Sequence, residues 1–439
     1  MPARGASSRL FEQSRRFLAG GVGSSARLTP ELAPLYFTRG DGSHVCDVDG
    51  NVYIDYILAW GPLILGHCPP TVVAAVKEQL DAGSIFGACV PQEGELARCI
   101  CECMPSMDLV RFTNSASEGV HMAIRLARAS THRSKILKFE GAYHGWYDNI
   151  LISAHPPAEH MGPEEAPVAV RESLGQPESV LDDILVVPWN QPDTVAEMLR
   201  RYGNEIACLI LEPIMCNNGV IPPQDGFLDT LRRLTTQHGV VLIFDETITG
   251  FRVGLAGAQG YYSVVPDLTV FGKGVGGGYP IAGFGGTNRI MSLVADGTVG
   301  HFGTYNSNSL CVTAALATLT ELMRNGGAVY TRITALGQKL AQGIRETLTE
   351  CGIPVVIQGP GSFFSALFTD RPITSYRDTF RLDRTLYSKF WVALLEHGIR
   401  IWPSARGLWY LSAAHTEADV EETLRAVRNV AGTLSRTAA

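Results

Sequence analysis

The apolar positions of this 439-residue chain change their spacing along its length. Between residues 36 and 56 they alternate in period 2 around two turn signals, Asp41-Gly42 and Asp49-Gly50, which predicts a small antiparallel meander. From residue 109 onward short, nearly continuous apolar runs take over, at 109–113, 135–139, 184–188, 206–211, 240–244, 268–271 and 282–285. Such runs suit strands covered on both faces. Helical spacing lies between most of them, notably at 118–129, 194–202 and 227–238. Alternation of this kind predicts a doubly wound α/β domain with a mostly parallel sheet. Further helices are predicted at 10–18, 71–82, 93–104, 310–323 and 329–350. The last part mixes strands at 355–357, 363–368, 399–401 and 408–411 with helices at 387–396 and 418–434, an α+β pattern. Residues 153–181 hold five prolines and little periodicity. A long segment without structure inside a domain is commonly functional, and a mobile lid is expected there.

Composition narrows the function classes. Hydrophobic residues make up 46% of the chain, enough for a large core. With 36 basic against 43 acidic residues the net charge is −7, so nothing favours nucleic acid or an anionic membrane as partner. No apolar run is long enough to span a bilayer. The start, MPARGASSRLFEQ, lacks the apolar core of a secretory signal, and a cytoplasmic enzyme is expected. The ten cysteines include no C-x-x-C pair. Cys99, Cys101 and Cys103 fall on a predicted helix, where i and i+2 face apart, so no metal site is expected.

The chemistry concentrates between residues 241 and 280. The run Val241-Leu242-Ile243-Phe244 ends on Asp245, and the strand 268–271 ends on Gly272-Lys273. Ligands of open parallel sheets bind beyond the carboxyl ends of the strands, so both side chains would enter one crevice. A lysine for a Schiff base and an acid for a pyridine nitrogen suit pyridoxal phosphate (PLP). The plain alternatives are a solvated lysine and a helix-capping aspartate. Gly272 to Gly277 also fits G-x-G-x-x-G, but Gly278-Tyr279-Pro280 prevents the helix that the dinucleotide fingerprint must open. Asn114-Ser115-Ala116-Ser117-Glu118 stands where a strand meets a helix and is either a phosphate cradle or a simple cap. Tyr143-His144-Gly145 offers an aromatic to stack on a ring, or a core residue. Gly303-Thr304-Tyr305-Asn306 is a weaker phosphate candidate, and Arg27 and Arg406 are loop arginines able to clamp a carboxylate.

These pieces in this order resemble a known family. They include Gly20-Gly21-Val22, Asp47-Val48-Asp49-Gly50, Trp60-Gly61-Pro62, Leu65-Gly66-His67, MDLVR at 107–111, IRLAR at 124–128 and FEGAYHG at 139–145. Glu212-Pro213, Asp245-Glu246, Thr249-Gly250-Phe251-Arg252 and Lys273 with its glycines complete the set. The chain resembles class III (subgroup II) aminotransferases of PLP fold type I, and among them glutamate-1-semialdehyde 2,1-aminomutase. The resemblance implies a large doubly wound domain over 70–315. A smaller α+β domain would be built from an N-terminal segment, 1–69, and a C-terminal one, 316–439. It implies Lys273 as the Schiff-base lysine, Asp245 at the pyridinium nitrogen and Tyr143 on the ring, beside His144 and Thr247. Ser115, Ala116 and Ser117 would bind the phosphate, and Asn217 the ring's phenolic oxygen. Thr304 would reach in from a second subunit of a homodimer with shared active sites. Arg27, Trp60 and Arg406 would bind substrate.

The departures from the pattern carry the substrate reading. The family's Ser-Gly-Thr-Glu-Ala is Ser115-Ala116-Ser117-Glu118-Gly119, which keeps a hydroxyl at Ser117. The valine under the ring is Thr247. The Pro-Ser-Ala-Phe-Glu of the aminomutase is Pro403-Ser404-Ala405-Arg406-Gly407 here, and its Arg-Gly pair resembles that of aminotransferases acting on aromatic or β-amino acids. The expected function is therefore amino-group transfer between an amino acid and a keto acid or aldehyde. An intramolecular 2,1-aminomutase and a non-catalytic PLP-binding protein are the alternatives.

Overall fold

The structure, a computed structural model, describes residues 4–438. The chain opens with α1 (Gly5–Ser14), β1 (Phe37–Asp41), β2 (His44–Asp47), β3 (Val52–Asp55), α2 (Pro70–Ala82) and α3 (Pro91–Cys103). The alternating part follows as β4 (Leu109–Thr113), α4 (Ala116–Thr131), β5 (Lys135–Phe139), β6 (Ile184–Val187), α5 (Pro192–Tyr202) and β7 (Ile206–Leu211). It continues through α6 (Phe227–His238), β8 (Val241–Glu246), α7 (Gly257–Tyr262), β9 (Leu268–Phe271), β10 (Ala282–Gly286) and α8 (Asn288–Ala295). The last part comprises α9 (Ser309–Met323), α10 (Ala328–Glu350), β11 (Val356–Gln358), β12 (Phe363–Leu367), α11 (Arg384–Glu396), β13 (Ile399–Arg400), β14 (Trp409–Tyr410) and α12 (Glu417–Ala438).

The central sheet has seven strands in the order β4-β10-β9-β8-β7-β5-β6. Only β10 runs against its neighbours, β4 and β9; the others pair in parallel. Every residue of β7 and β8 is buried, which is why β7 and the first four residues of β8 read as unbroken apolar runs before the acids Asp245 and Glu246. Between β4 at one edge and β5 near the other, α4 crosses the sheet and buries Val120, Met122, Ala123, Ile124, Leu126 and Ala127. The strand order thus reverses beside the amino end of α4, where open α/β sheets hold their ligands.

A smaller α+β layer draws on both ends of the chain. The meander β1-β2-β3 is completed by β13, parallel to β3, and β11-β12-β14 forms a second small sheet. The boundary expected at residue 315 falls inside α9, which packs on α2 and α3 and continues the large layer.

Two expectations need correction. The first helix occupies Gly5–Ser14, not 10–18. Its start is fixed from a distance, because the Asp49 carboxylate accepts from the amides of Ala6 (2.7 Å) and Ser7 (2.9 Å). The segment 153–181 lacks helices and strands apart from two short 3₁₀ turns, but it is tied down. The Arg377 guanidinium donates to both Glu140 oxygens (2.8 and 3.0 Å) and to the carbonyls of Met161, Gly162 and Pro163. Ser153 also binds the backbone of Gly141 and Val170. No helix among the described residues is long and apolar enough to cross a membrane.

Candidate active site

Five strand ends meet around a cavity of about 380 Å³. Ser115, Ala116 and Ser117 enter after β4, Tyr143 and His144 after β5, and Asn217 after β7. Asp245 and Thr247 come from the end of β8, and Lys273 follows β9. These nine expected residues come from five separate stretches of the chain, and the central sheet brings them together. Lys273 holds a left-handed backbone (φ 40°), an uncommon conformation for a side-chain-bearing residue. It begins a single 3₁₀ turn, Lys273–Gly276, so the glycine-rich run opens no α-helix.

Asp245 is held by three donors. Its Oδ2 lies 2.9 Å from Nδ1 of His144, and its Oδ1 accepts from the Thr247 amide (3.1 Å) and the Thr247 hydroxyl. The hydroxyl that replaces the family's valine therefore binds the key acid. His144 is buried, and burial lowers its pKa, against the pull of Asp245. Its Nε2 has no partner. Withdrawal from water also lowers the pKa of the Lys273 amine, with Asp245, Glu212 and Cys216 acting the other way. An amine so placed accepts a proton more readily near neutrality than a solvated lysine does.

At the amino end of α4 the capping and cradle readings turn out to be compatible. Ser115 is the N-cap, and Glu118 Oε2 accepts from the amides of Asn114 (2.9 Å) and Ser115 (2.8 Å) and from the Ser115 hydroxyl (3.2 Å). The Ser115 hydroxyl is thus engaged by the cap. The amides of Ala116 and Ser117 have no carbonyl inside the helix to bind, and both residues line the cavity. Gly145 (φ +96°) leaves room for the Ser117 hydroxyl, since a Cβ there would stand 2.5 Å from Ser117 Oγ. An anion-binding helix end, a buried amine and a fixed carboxylate on one cavity fit a phosphorylated pyridine aldehyde.

The remaining expected residues lie elsewhere. Arg27 and Trp60 line a second cavity of about 420 Å³, walled by the N-terminal arm and by Arg400, Ile401 and Pro403. The Trp60 ring packs on Trp402, with centroids 4.5 Å apart. Thr304 is exposed, on a loop that lines a third cavity with Arg111 and His301. Arg406 does not line the Lys273 cavity; it is bound to Asn218 Oδ1 (2.6 Å) and stacked over Tyr376. The motif residue Arg252 is buried and works as a tie: it donates to the carbonyls of Leu411 (2.6 Å) and Gly61, beside the cavity-lining Pro62. Sequence reasoning placed Glu212 only within a motif. It lines the cavity, and its Oε2 accepts from the Asn217 amide group. Its position directly after the strand 206–211, like that of Asp245 after its own strand, was the available signal.

The family model for class-III aminotransferases matches residues 26–425. The chain belongs to the class-III aminotransferase family. Its relatives include glutamate-1-semialdehyde 2,1-aminomutase 2 of Brevibacillus brevis, 42% identical over 96% of each chain. The glutamate-1-semialdehyde 2,1-aminomutase of Thermodesulfovibrio yellowstonii is 40% identical over 97% of this chain and 98% of its own. Among solved structures, an omega-transaminase from Sphaerobacter thermophilus superposes with a TM-score of 0.92 at 35% identity, over 98% of both chains. A β-phenylalanine aminotransferase from Variovorax paradoxus gives 0.85 at 32% identity, over 98% of this chain and 94% of its own. A transaminase with PLP bound gives 0.89 at 30% identity, over 99% of both. The class-III fold explains the sheet order and the reversal beside α4 found here.

Proposed function

We propose that this class-III enzyme is an aminotransferase that moves an amino group between an amino acid and a keto acid or aldehyde. The cofactor is pyridoxal 5′-phosphate. When bound, it supplies the electron sink for breaking a bond at the substrate's amine-bearing carbon. The chain's own residues do the rest. Lys273 Nζ would hold the cofactor and, once freed, its amine would serve as the general base on the substrate's carbon acid. The Asp245 carboxylate, fixed by His144 and Thr247, would keep a proton on the ring nitrogen. Ala116 and Ser117 would hold the phosphate, Tyr143 would cover the ring and Asn217 would bind its oxygen. Thr304, outside this cavity on an exposed loop, serves the site of a second copy, so the working unit is a homodimer.

One observation favours transfer between molecules. Gly407 stands where the aminomutase pattern has its glutamate, and it lies flat against Trp402. A Cβ at 407 would stand 2.4 Å from Trp402 Cβ, so this loop has no room for an acid. Without it, no built-in acid competes with a substrate's carboxylate for Arg27, and Arg406 can add a second cation by giving up its bond to Asn218. The names of the curated relatives weigh the other way: they favour the intramolecular 2,1-aminomutase more than the transfer reading. A single assay separates the two. Holoenzyme given one amino donor alone should release a keto product in an amount matching its cofactor. Isomerisation of glutamate-1-semialdehyde with no second substrate and no such release would establish the aminomutase instead. Either turnover would dispose of a purely PLP-binding protein.

A further inference from the structure

Two of the side chains assigned to the cofactor ring hang from one acid. Glu212 follows β7 directly and is only 5% exposed. Its Oε1 accepts from the Tyr143 amide (3.1 Å), at the end of the neighbouring strand β5. Its Oε2 accepts from the Cys216 amide (3.0 Å) and from Nδ2 of Asn217 (2.9 Å). All three partners are neutral donors. A carboxylate accepts at both oxygens and so satisfies donors on both sides, which an amide of the same shape cannot do. Holding a carboxyl here is costly. Burial, and then the charge of Asp245, raise its pKa to about 7, while the Tyr143 and Cys216 amides and Lys273 act to lower it. A residue retained at such a cost, bridging two strand ends, sets the relative position of what those ends carry.

We infer that Glu212 is a positioning residue for the cofactor ring: one carboxylate fixes the main chain of Tyr143 and the amide of Asn217, so that the stacking face and the ring-oxygen partner are set together. By taking one Asn217 hydrogen, Glu212 also turns the amide, leaving its second N–H and its carbonyl for the cavity. The inference rests on the reading of Tyr143 and Asn217 as ring contacts, and it goes beyond that reading by naming what aims them.

The test uses holoenzyme without substrate and reads the bound cofactor by visible absorbance against pH and by induced circular dichroism. These signals follow ring environment and orientation, which a merely stabilising residue would leave alone. Glu212→Gln is expected to retain covalent cofactor while losing much of the induced dichroism. The midpoint of its visible transition should move by about one pH unit, a tenfold change and the size of one charge-assisted hydrogen bond. Asn217→Ala should shift the midpoint similarly, and Glu212→Gln should add little to it in the double variant. If Glu212→Gln fails to fold, Glu212→Asp keeps the charge on a shorter stem that cannot span both donor sets, and it should show the same signature in weaker form. A wild-type band and dichroism in every folded Glu212 variant, or fully additive shifts in the double variant, would overturn the inference. If Asn217→Ala itself leaves the band untouched, the ring assignment falls and takes the inference with it. If Asn217→Ala moves the band and Glu212→Gln does not, the inference falls alone.

Discussion

At the scale of single residues, the site makes separable demands on charge and on shape. Lys273 is the one lysine on the cavity among the described residues, so Lys273→Ala should leave no cofactor adduct by mass after borohydride reduction. A labelled peptide from any other segment would refute the assignment. Asp245→Asn keeps the size of the side chain and its bond from the Thr247 amide, so cofactor should remain bound. Turnover should fall by several orders of magnitude, because an unprotonated ring is a poor electron sink. Near-native turnover would show that the acid has another role. Arg406 is held by Asn218 and is not among the residues lining the cavity, so it reads a carboxylate only by leaving that bond. Arg406→Ala should cost roughly 1.5–3 kcal/mol of a charged hydrogen bond, lowering kcat/KM by about one to two decades for carboxylate substrates. Amines lacking a carboxylate should be little affected. Equal losses on both would make Arg406 a strut for Asn218.

At the scale of elements, the long segment 153–181 shows how missing periodicity misleads. Irregular backbone is not mobile backbone when its carbonyls are bound. The bonds from Arg377 replace those a helix or strand would have made, and Glu140, its partner, is almost fully buried. Arg377→Ala would leave that carboxylate without its cation, a loss of about 3–5 kcal/mol for a buried pair. Hydrogen exchange at 160–165 should be slow in the native enzyme and should accelerate in the variant more than in the central sheet. Fast exchange there in the native enzyme would restore the mobile lid. A similar logic governs α4: the Glu118 carboxylate that closes its cap also fixes the loop in front of the phosphate amides.

At the scale of the whole molecule, long-range polar contacts join the ends of the chain to the site layer. His415 sits at one such junction, fully buried, with Nδ1 accepting from the Ser412 amide at 3.1 Å. Burial depresses its pKa from 6.5 to about 4, against the pull of Asp419 and Asp55. The unfolded chain then binds a proton between those values that the folded protein refuses, so stability rises with pH across this window and is lost as pH falls from 6.5 toward 4. At 1.36 kcal/mol per unit the contribution is about 3 kcal/mol. His415→Asn, which still offers an acceptor to Ser412, should flatten the dependence of Tm on pH between 6.5 and about 4. An unchanged slope would place the acid sensitivity elsewhere.

The sequence by itself determined the alternating elements of the large layer, because β7 and the first four residues of β8 are buried on both faces and are apolar. It also determined the chemistry at their ends, since the residue after a parallel strand has one place to go: Asp245 and Lys273 were legible for that reason. What depended on partners far along the chain was decided only in three dimensions. The start of α1 waits on Asp49, the segment 153–181 on Arg377, and the closed position of Gly407 on Trp402. Glu212 belongs with these. Its motif was visible, but the two residues it aims come from different strand ends, and only the parallel pairing of β5 with β7 brings them to one carboxylate.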